Sequence, residues 1–140
     1  MTIESTPART SKALHIGLWV VQILLGVTFV GTALWKALTP IPKLASMIPW
    51  AGQVSPAFLY FTALVDFLGG LGLVLPAATR IKPVLTPVAA LGCAALQLAA
   101  IVFHTSRGEV ANTPFNYLLV ALSVFVFWGR QFRAPIAPRQ

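Results

Sequence analysis

Charge is what this sequence has least of. Three acids, Glu4, Asp66 and Glu109, stand against ten Lys and Arg, and charged residues make up only 9% of the 140. Soluble domains use about 25% charged residues to cover themselves in water. A chain with so few, with 57% hydrophobic residues and a mean hydropathy of +0.81, is not a soluble globular protein. The same figures exclude disorder, which needs much charge and few apolar side chains. Cysteine is nearly absent too. Cys93 stands alone, so an internal disulfide, a CxxC redox pair and a thiolate metal cluster are all excluded. No P-loop, dinucleotide fingerprint, metal-ligand cluster or hydrolase triad is present. What remains is an integral membrane protein, limited by its length to about four crossings.

The net charge is +7. In a soluble protein that would point to nucleic acid. Here the basic residues lie between apolar segments, where they set topology and meet lipid headgroups. The expected partner is therefore the lipid bilayer, and nucleic acid is not.

The apolar runs predict an all-α transmembrane four-helix bundle over residues 13–132, with helices at about 13–36, 57–75, 84–104 and 114–131. A basic tail, 1–12, precedes it and a second tail, 133–140, follows. The first run is longer than the roughly 7–15 residues of a signal-peptide core and reads as a span. Pro76 is expected to end the second helix, and Thr113-Pro114 to start the fourth as cap and first residue. Residues 36–56 hold four prolines with Leu44, Met47, Ile48 and Trp50, the pattern of a short interfacial helix or hairpin. With four spans, one side carries Arg9, Lys12, Arg80, Lys82, Arg130, Arg133 and Arg139, and the other only Lys36, Lys43 and Arg107. Seven against three places both termini in the cytoplasm.

Polar residues inside the spans carry the information, since each needs a partner or water. At helical spacing they form one stripe per helix. The first is Gln22, Gly26, Phe29, Ala33 and Lys36, and the second Thr62, Asp66, Gly69, Gly70 and Leu73. The third is Cys93, Gln97, Ala100 and His104, and the fourth Asn116, Val120, Ser123 and Phe127. Small residues permit close helix approach, so the stripes should face the bundle interior. Lys36, Asp66, His104, Arg107, Glu109 and Asn116 then fall in the same half or mouth of the bundle. Asp66 lies about 13 Å into the membrane, at 1.5 Å of rise per residue. A carboxylate at that depth must be paired, hydrated or protonated. Lys36 is the natural cation, although helix rise leaves about 10 Å of depth between the two. A structural ion pair and a proton or ligand site both account for it. His104 fits a proton carrier or a helix-end cap. Haem ligation is disfavoured, because the second histidine, His15, lies at the opposite membrane face.

These residues carry a resemblance. Gly31-Thr32-Ala33-Leu34-Trp35-Lys36 closes the first helix, and Asp66-Phe67-Leu68-Gly69-Gly70-Leu71-Gly72-Leu73-Val74-Leu75-Pro76 makes the second half of the next. With Phe103-His104-Thr105-Ser106-Arg107-Gly108-Glu109, Asn116 and Gly129-Arg130, the chain resembles the DoxX-like family of small four-helix bacterial membrane proteins. Many relatives carry Glu where this chain has the shorter Asp66. The resemblance implies a multi-pass protein of the bacterial cell (inner) membrane, the membrane subunit of an oxidoreductase system. It implies a quinone, or a similar amphiphile, bound in a polar inter-helix site. The residues expected to bind ligand or relay protons are Lys36, Asp66, His104, Arg107, Glu109, Asn116 and Gln97. The chain has no cofactor motif of its own and no metal site, so any redox activity needs a partner, such as a thiol-redox enzyme. A non-catalytic anchor or assembly factor is the alternative reading. A small transporter is another, for which four short helices offer little room unless the protein forms a homo-oligomer.

Overall fold

The computed structural model describes residues 11–140 and is built of helices joined by turns. Arg9 and most of the expected N-terminal tail lie outside the described residues. Four helices are long and apolar enough to cross a membrane. In chain order α1 is Lys12–Leu38, α2 Ile41–Met47, α3 Pro56–Thr79, α4 Leu85–Ser106 and α5 Pro114–Trp128. A 3₁₀ turn, Pro49–Gly52, follows α2, and a wider π turn, Gly129–Arg133, extends α5. Residues 39–55 and 107–113 lie at one end of the bundle, here the loop end. The start of α1, the 80–84 turn and the C-terminal residues lie at the other, the terminal end.

Local chemistry accounts for the starts. The Ser11 and Ser55 hydroxyls accept from the backbone N–H of Leu14 and Phe58, at 3.3 and 3.2 Å. Pro56 and Pro114 stand at first helical positions, where the missing N–H is no loss. One expected end is corrected. The helix α3 runs through Pro76 to Thr79. A proline removes one hydrogen bond, but three residues from a helix end little of the ladder follows it. The extra turn of α3 ends in Arg80, in the left-handed conformation at φ 58°. Arg80 then ties down the C-terminal residues: its Nε donates to the Ala137 carbonyl at 2.9 Å, and its own carbonyl accepts from Arg139 N at 2.8 Å.

Antiparallel neighbours run α1–α3, α3–α4 and α4–α5. The α1–α3 crossing depends on glycine. A Cβ on Gly70 would lie 3.0 Å from the Gly26 carbonyl oxygen and 2.8 Å from Val30 Cγ2, so the two backbones could not approach as they do. Leu25, Phe29, Leu73, Ala90, Cys93, Leu119 and Val126 fill the centre. Gln22, Gly26, Phe29, Ala33 and Lys36 are all buried, as the first stripe requires. The fourth stripe needs rotating: Leu119, Ser123, Val126 and Arg130 are buried, whereas Val120 and Phe127 are half-buried. Hydrophobicity alone gave no choice among neighbouring Leu, Val and Phe. The buried Arg130 makes it.

Residues 41–52 fold back over the loop end. Their own small core, Leu44 and Ala51 against Leu59 of α3, holds them in place.

Candidate functional site

The site grows from two side chains that point towards each other. Cα–Cβ bonds tilt towards a helix N-terminus. On α1 this sends Lys36 down from the loop end, and on the antiparallel α3 it sends Asp66 up. The expected 10 Å of separation vanishes, and Lys36 Nζ lies 2.7 Å from Asp66 Oδ2. Asp66 therefore pairs directly despite being shorter than Glu. Both are buried, with side-chain exposures of 10% and 5%. Lys36 also donates to Thr62 Oγ1 at 3.2 Å, and Thr62 passes its own proton to the Leu59 carbonyl.

Two further polar pairs surround this one. Asn116 Nδ2 donates to Gln97 Oε1 at 2.6 Å across the α4–α5 seam. His104 Nδ1 meets Glu109 Oε2 at 2.7 Å, one turn past the end of α4. Arg107 Nε donates to the other oxygen of Glu109 at 3.2 Å, and its guanidinium lies over the Phe103 ring. The hydrogen bond to His104, then that from Arg107, holds the Glu109 carboxyl below the ordinary carboxylate range.

These pairs border a cavity of about 590 Å³, within the usual size of a small-molecule site. Six of the seven expected residues line it: Lys36, Asp66, Gln97, His104, Glu109 and Asn116. Arg107 does not; it is bonded to Glu109, which does. On the far side of the Lys36–Asp66 pair a smaller hollow of about 140 Å³ lies between α3 and α4, among Phe58, Leu96, Ala99 and Phe103. The pair thus forms the partition between two spaces.

Trp50 was expected only as an interfacial aromatic. It is a wall of the site, its ring edge-on to His104 and Phe103 at 6.3 and 5.9 Å, with Lys36 Nζ 5.6 Å from its centroid. Only the fold of residues 41–52 brings it there. Arg130 was expected as one charge of the topological count. It is instead 3% exposed, with Nε donating to Gln22 Oε1 at 2.6 Å and Nη1 to the Ala134 carbonyl at 3.0 Å. Nη1 also meets His15 Nδ1 at 3.0 Å. Its position seven residues after Ser123, on the same helical face, was the signal that could have found it. This second polar cluster lies at the terminal end, away from the cavity.

Neither the curated proteins nor the solved structures give a match to this chain. A family model does, over residues 20–126, a stretch that takes in every residue of the cavity described above. With its four apolar spans, the chain is a multi-pass integral membrane protein and belongs to the DoxX-like family.

Proposed function

We propose that this protein is the membrane subunit of an oxidoreductase system and binds a quinone, or a similar amphiphile, in the loop-end cavity. One observation carries the reading: a buried ammonium, an amide and an imidazole converge on a single cavity at the loop end. Lys36 and Asn116 are hydrogen-bond donors suited to ring carbonyls, and Trp50 and Phe29 offer flat apolar walls. The donor set and the shape therefore fit such a ring. When bound, a quinone supplies two-electron, two-proton chemistry. The chain's own residues orient it: Lys36, fixed by Asp66 and Thr62, presents a proton donor, and Gln97 fixes the rotation of Asn116. His104 and Glu109 stand at the mouth, where a proton can pass to or from water. Electrons come from a partner protein with its own redox group.

The same reading puts the protein in a bacterial cell membrane with both termini cytoplasmic, on the charge asymmetry of seven to three. The loop-end site then faces outward. A periplasm-dependent reporter active at Gln140 but silent near Gly108 would reverse it.

The function is tested on purified protein by quinone titration, following tryptophan fluorescence. Saturable binding is expected for wild type, with loss in Lys36→Met and Asp66→Asn proteins that remain folded. Absence of binding in the wild type, together with co-purification of an enzyme from native membrane, would favour a non-catalytic anchor.

A further inference from the structure

We infer that the amphiphile reaches this site sideways from the bilayer, through the gap between α1 and α5, and that its apolar tail stays in that gap while its polar head meets Lys36 and Asn116. The inference rests on the amphiphile reading and adds to it a route and a ligand class, that of lipids with a long apolar chain.

The helices α1 and α5 are tied together at the terminal end. There Leu18 packs directly on Gly129, and Gln22 accepts the hydrogen bond of Arg130. Towards the loop end the cavity of about 590 Å³ lies between them. Its α1 wall is Thr28, Thr32 and Trp35, and its α5 wall Phe115 and Leu119. Trp35 and Phe115 are 39% and 57% exposed on a bundle surface otherwise made for lipid. Thr28 and Thr32 are half-buried and Trp35 and Phe115 exposed, so the α1 and α5 walls of the cavity reach the outer surface of the bundle.

Polarity within the cavity is ordered. Lys36 and Asp66 are bonded to each other across α1–α3, Gln97 and Asn116 across α4–α5, and the gap side is aromatic and aliphatic apart from Thr28, Thr32 and, just before α5, Asn112. One of those, Thr28, already spends its hydroxyl proton on the Leu24 carbonyl at 2.8 Å. Such an order suits a molecule whose head is polar and whose remainder is apolar. Met47, Ile48, Pro49 and Trp50 line the space at the loop end, and the bonded His104, Glu109 and Arg107 stand at the polar mouth beside Trp50. A small soluble ligand would have to pass this mouth. A tailed one can lodge its head and leave its chain in the membrane. The smaller hollow between α3 and α4 also borders the ion pair, but its volume of about 140 Å³ is well below the usual size of a small-molecule site.

The test compares two probes on the whole protein in lipid nanodiscs: decylubiquinone, and the same ring without its decyl chain. Wild type is expected to bind the tailed probe, at equal mole fraction in the membrane, more tightly than the tail-less ring. Thr32→Phe fills the gap on the α1 side and should weaken the tailed probe by at least about tenfold, with less than about twofold effect on the bare ring. Thr28→Phe, one turn nearer the helix start, makes the same block should Thr32→Phe fail to fold. Ala99→Phe, in the smaller hollow, should change neither. Equal weakening of both probes by the α1 substitutions, or loss of tail preference in Ala99→Phe instead, would overturn the route. Failure of wild type to bind either probe would overturn the amphiphile reading itself, and is thereby distinguishable.

Discussion

Among the described residues two cations are buried, one near each end of the bundle, and the protein satisfies them differently. Lys36 has a carboxylate at 2.7 Å, a hydroxyl and an aromatic ring around it, and open space beside it. Arg130 has no carboxylate among the described residues. An amide oxygen, a backbone carbonyl and an imidazole surround it, the Trp19 ring lies 5.5 Å away, and the chain packs shut around it. Its Nη2 has no hydrogen-bond partner. A guanidinium is weakly hydrated and spreads its charge over a fork of donors, so neutral acceptors can hold it. A lysine ammonium is a compact, strongly hydrated charge, and burying it calls for an anion. Both clusters join distant helices; the cavity of about 590 Å³ borders Lys36 and takes in no residue of the Arg130 cluster. In the proposed reading the pair beside the cavity serves the ligand, and the closed cluster at the other end serves cohesion.

The comparison breaks most readily at the ion pair. Lys36→Met strands the carboxylate and Asp66→Asn strands the ammonium, and each should lower stability by about 3–5 kcal/mol. The double change should cost less than the two summed, because neither charge is then left alone. Ligand binding should be lost in all three proteins. Thermal unfolding in detergent reads the first quantity and fluorescence titration the second. Strict additivity would mean that the pair does not act as a unit. Full binding by the double mutant would make the pair structural, like the cluster at the other end.

Arg130→Ala is the complementary test. It leaves Gln22 Oε1 and the Ala134 carbonyl without their donor, a loss of about 2–3 kcal/mol. Polar contacts inside membranes often give less than in water, which sets that figure as an upper range. Quinone affinity of the protein that folds should stay within about twofold of wild type, since no atom of this cluster reaches the cavity. Unchanged stability with abolished binding would reverse the roles assigned to the two ends.

The difference between the ends was only half legible in the sequence. Composition and four apolar runs gave the fold class, because a bilayer admits only helices or closed barrels and unbroken runs of this length suit helices. The stripe from Gln22 to Lys36 and the polar residues of α3 and α4 were readable from spacing alone, and six of the seven expected residues do share one cavity. Depth was not readable from helix rise. The opposite tilts of Lys36 and Asp66 closed a distance that counting along each helix left open. Trp50 was invisible as a site residue, since its place depends on Leu44 and Ala51 packing against Leu59 across a proline-rich connection. Arg130 was concealed by its chemistry: a basic residue at a helix end reads first as a topological signal. Here the wider last turn and the Gln22 oxygen draw it inside.

Cys93 separates packing from chemistry on a smaller scale. It is 3% exposed and sits against α3, where a Cβ on Gly69 would lie 2.7 Å from its sulfur. Cys93→Ala removes one buried atom and should lower stability by about 1 kcal/mol, with binding unchanged. Loss of binding in a stable Cys93→Ala protein would give the thiol a role beyond filling space.

The smallest effect belongs to the loop-end mouth and depends on pH. Glu109 accepts from His104 and from Arg107, and these bonds depress its pKa. A depressed carboxylate contributes stability that is complete above its unfolded value and fades as pH falls through the folded one. The contribution should therefore be constant from about pH 5 upward and be lost in acid, below about pH 4. Trp50 reports on it, since its ring stands 6.3 Å from that of His104. In a protein with Trp19, Trp35 and Trp128 changed to Phe, Trp50 emission should shift in acid as the Glu109 bonds release. Glu109→Gln keeps the shape but cannot ionise, and should flatten that acid transition while leaving the helical signal intact. An identical transition in the Glu109→Gln protein would show that another group closes the mouth.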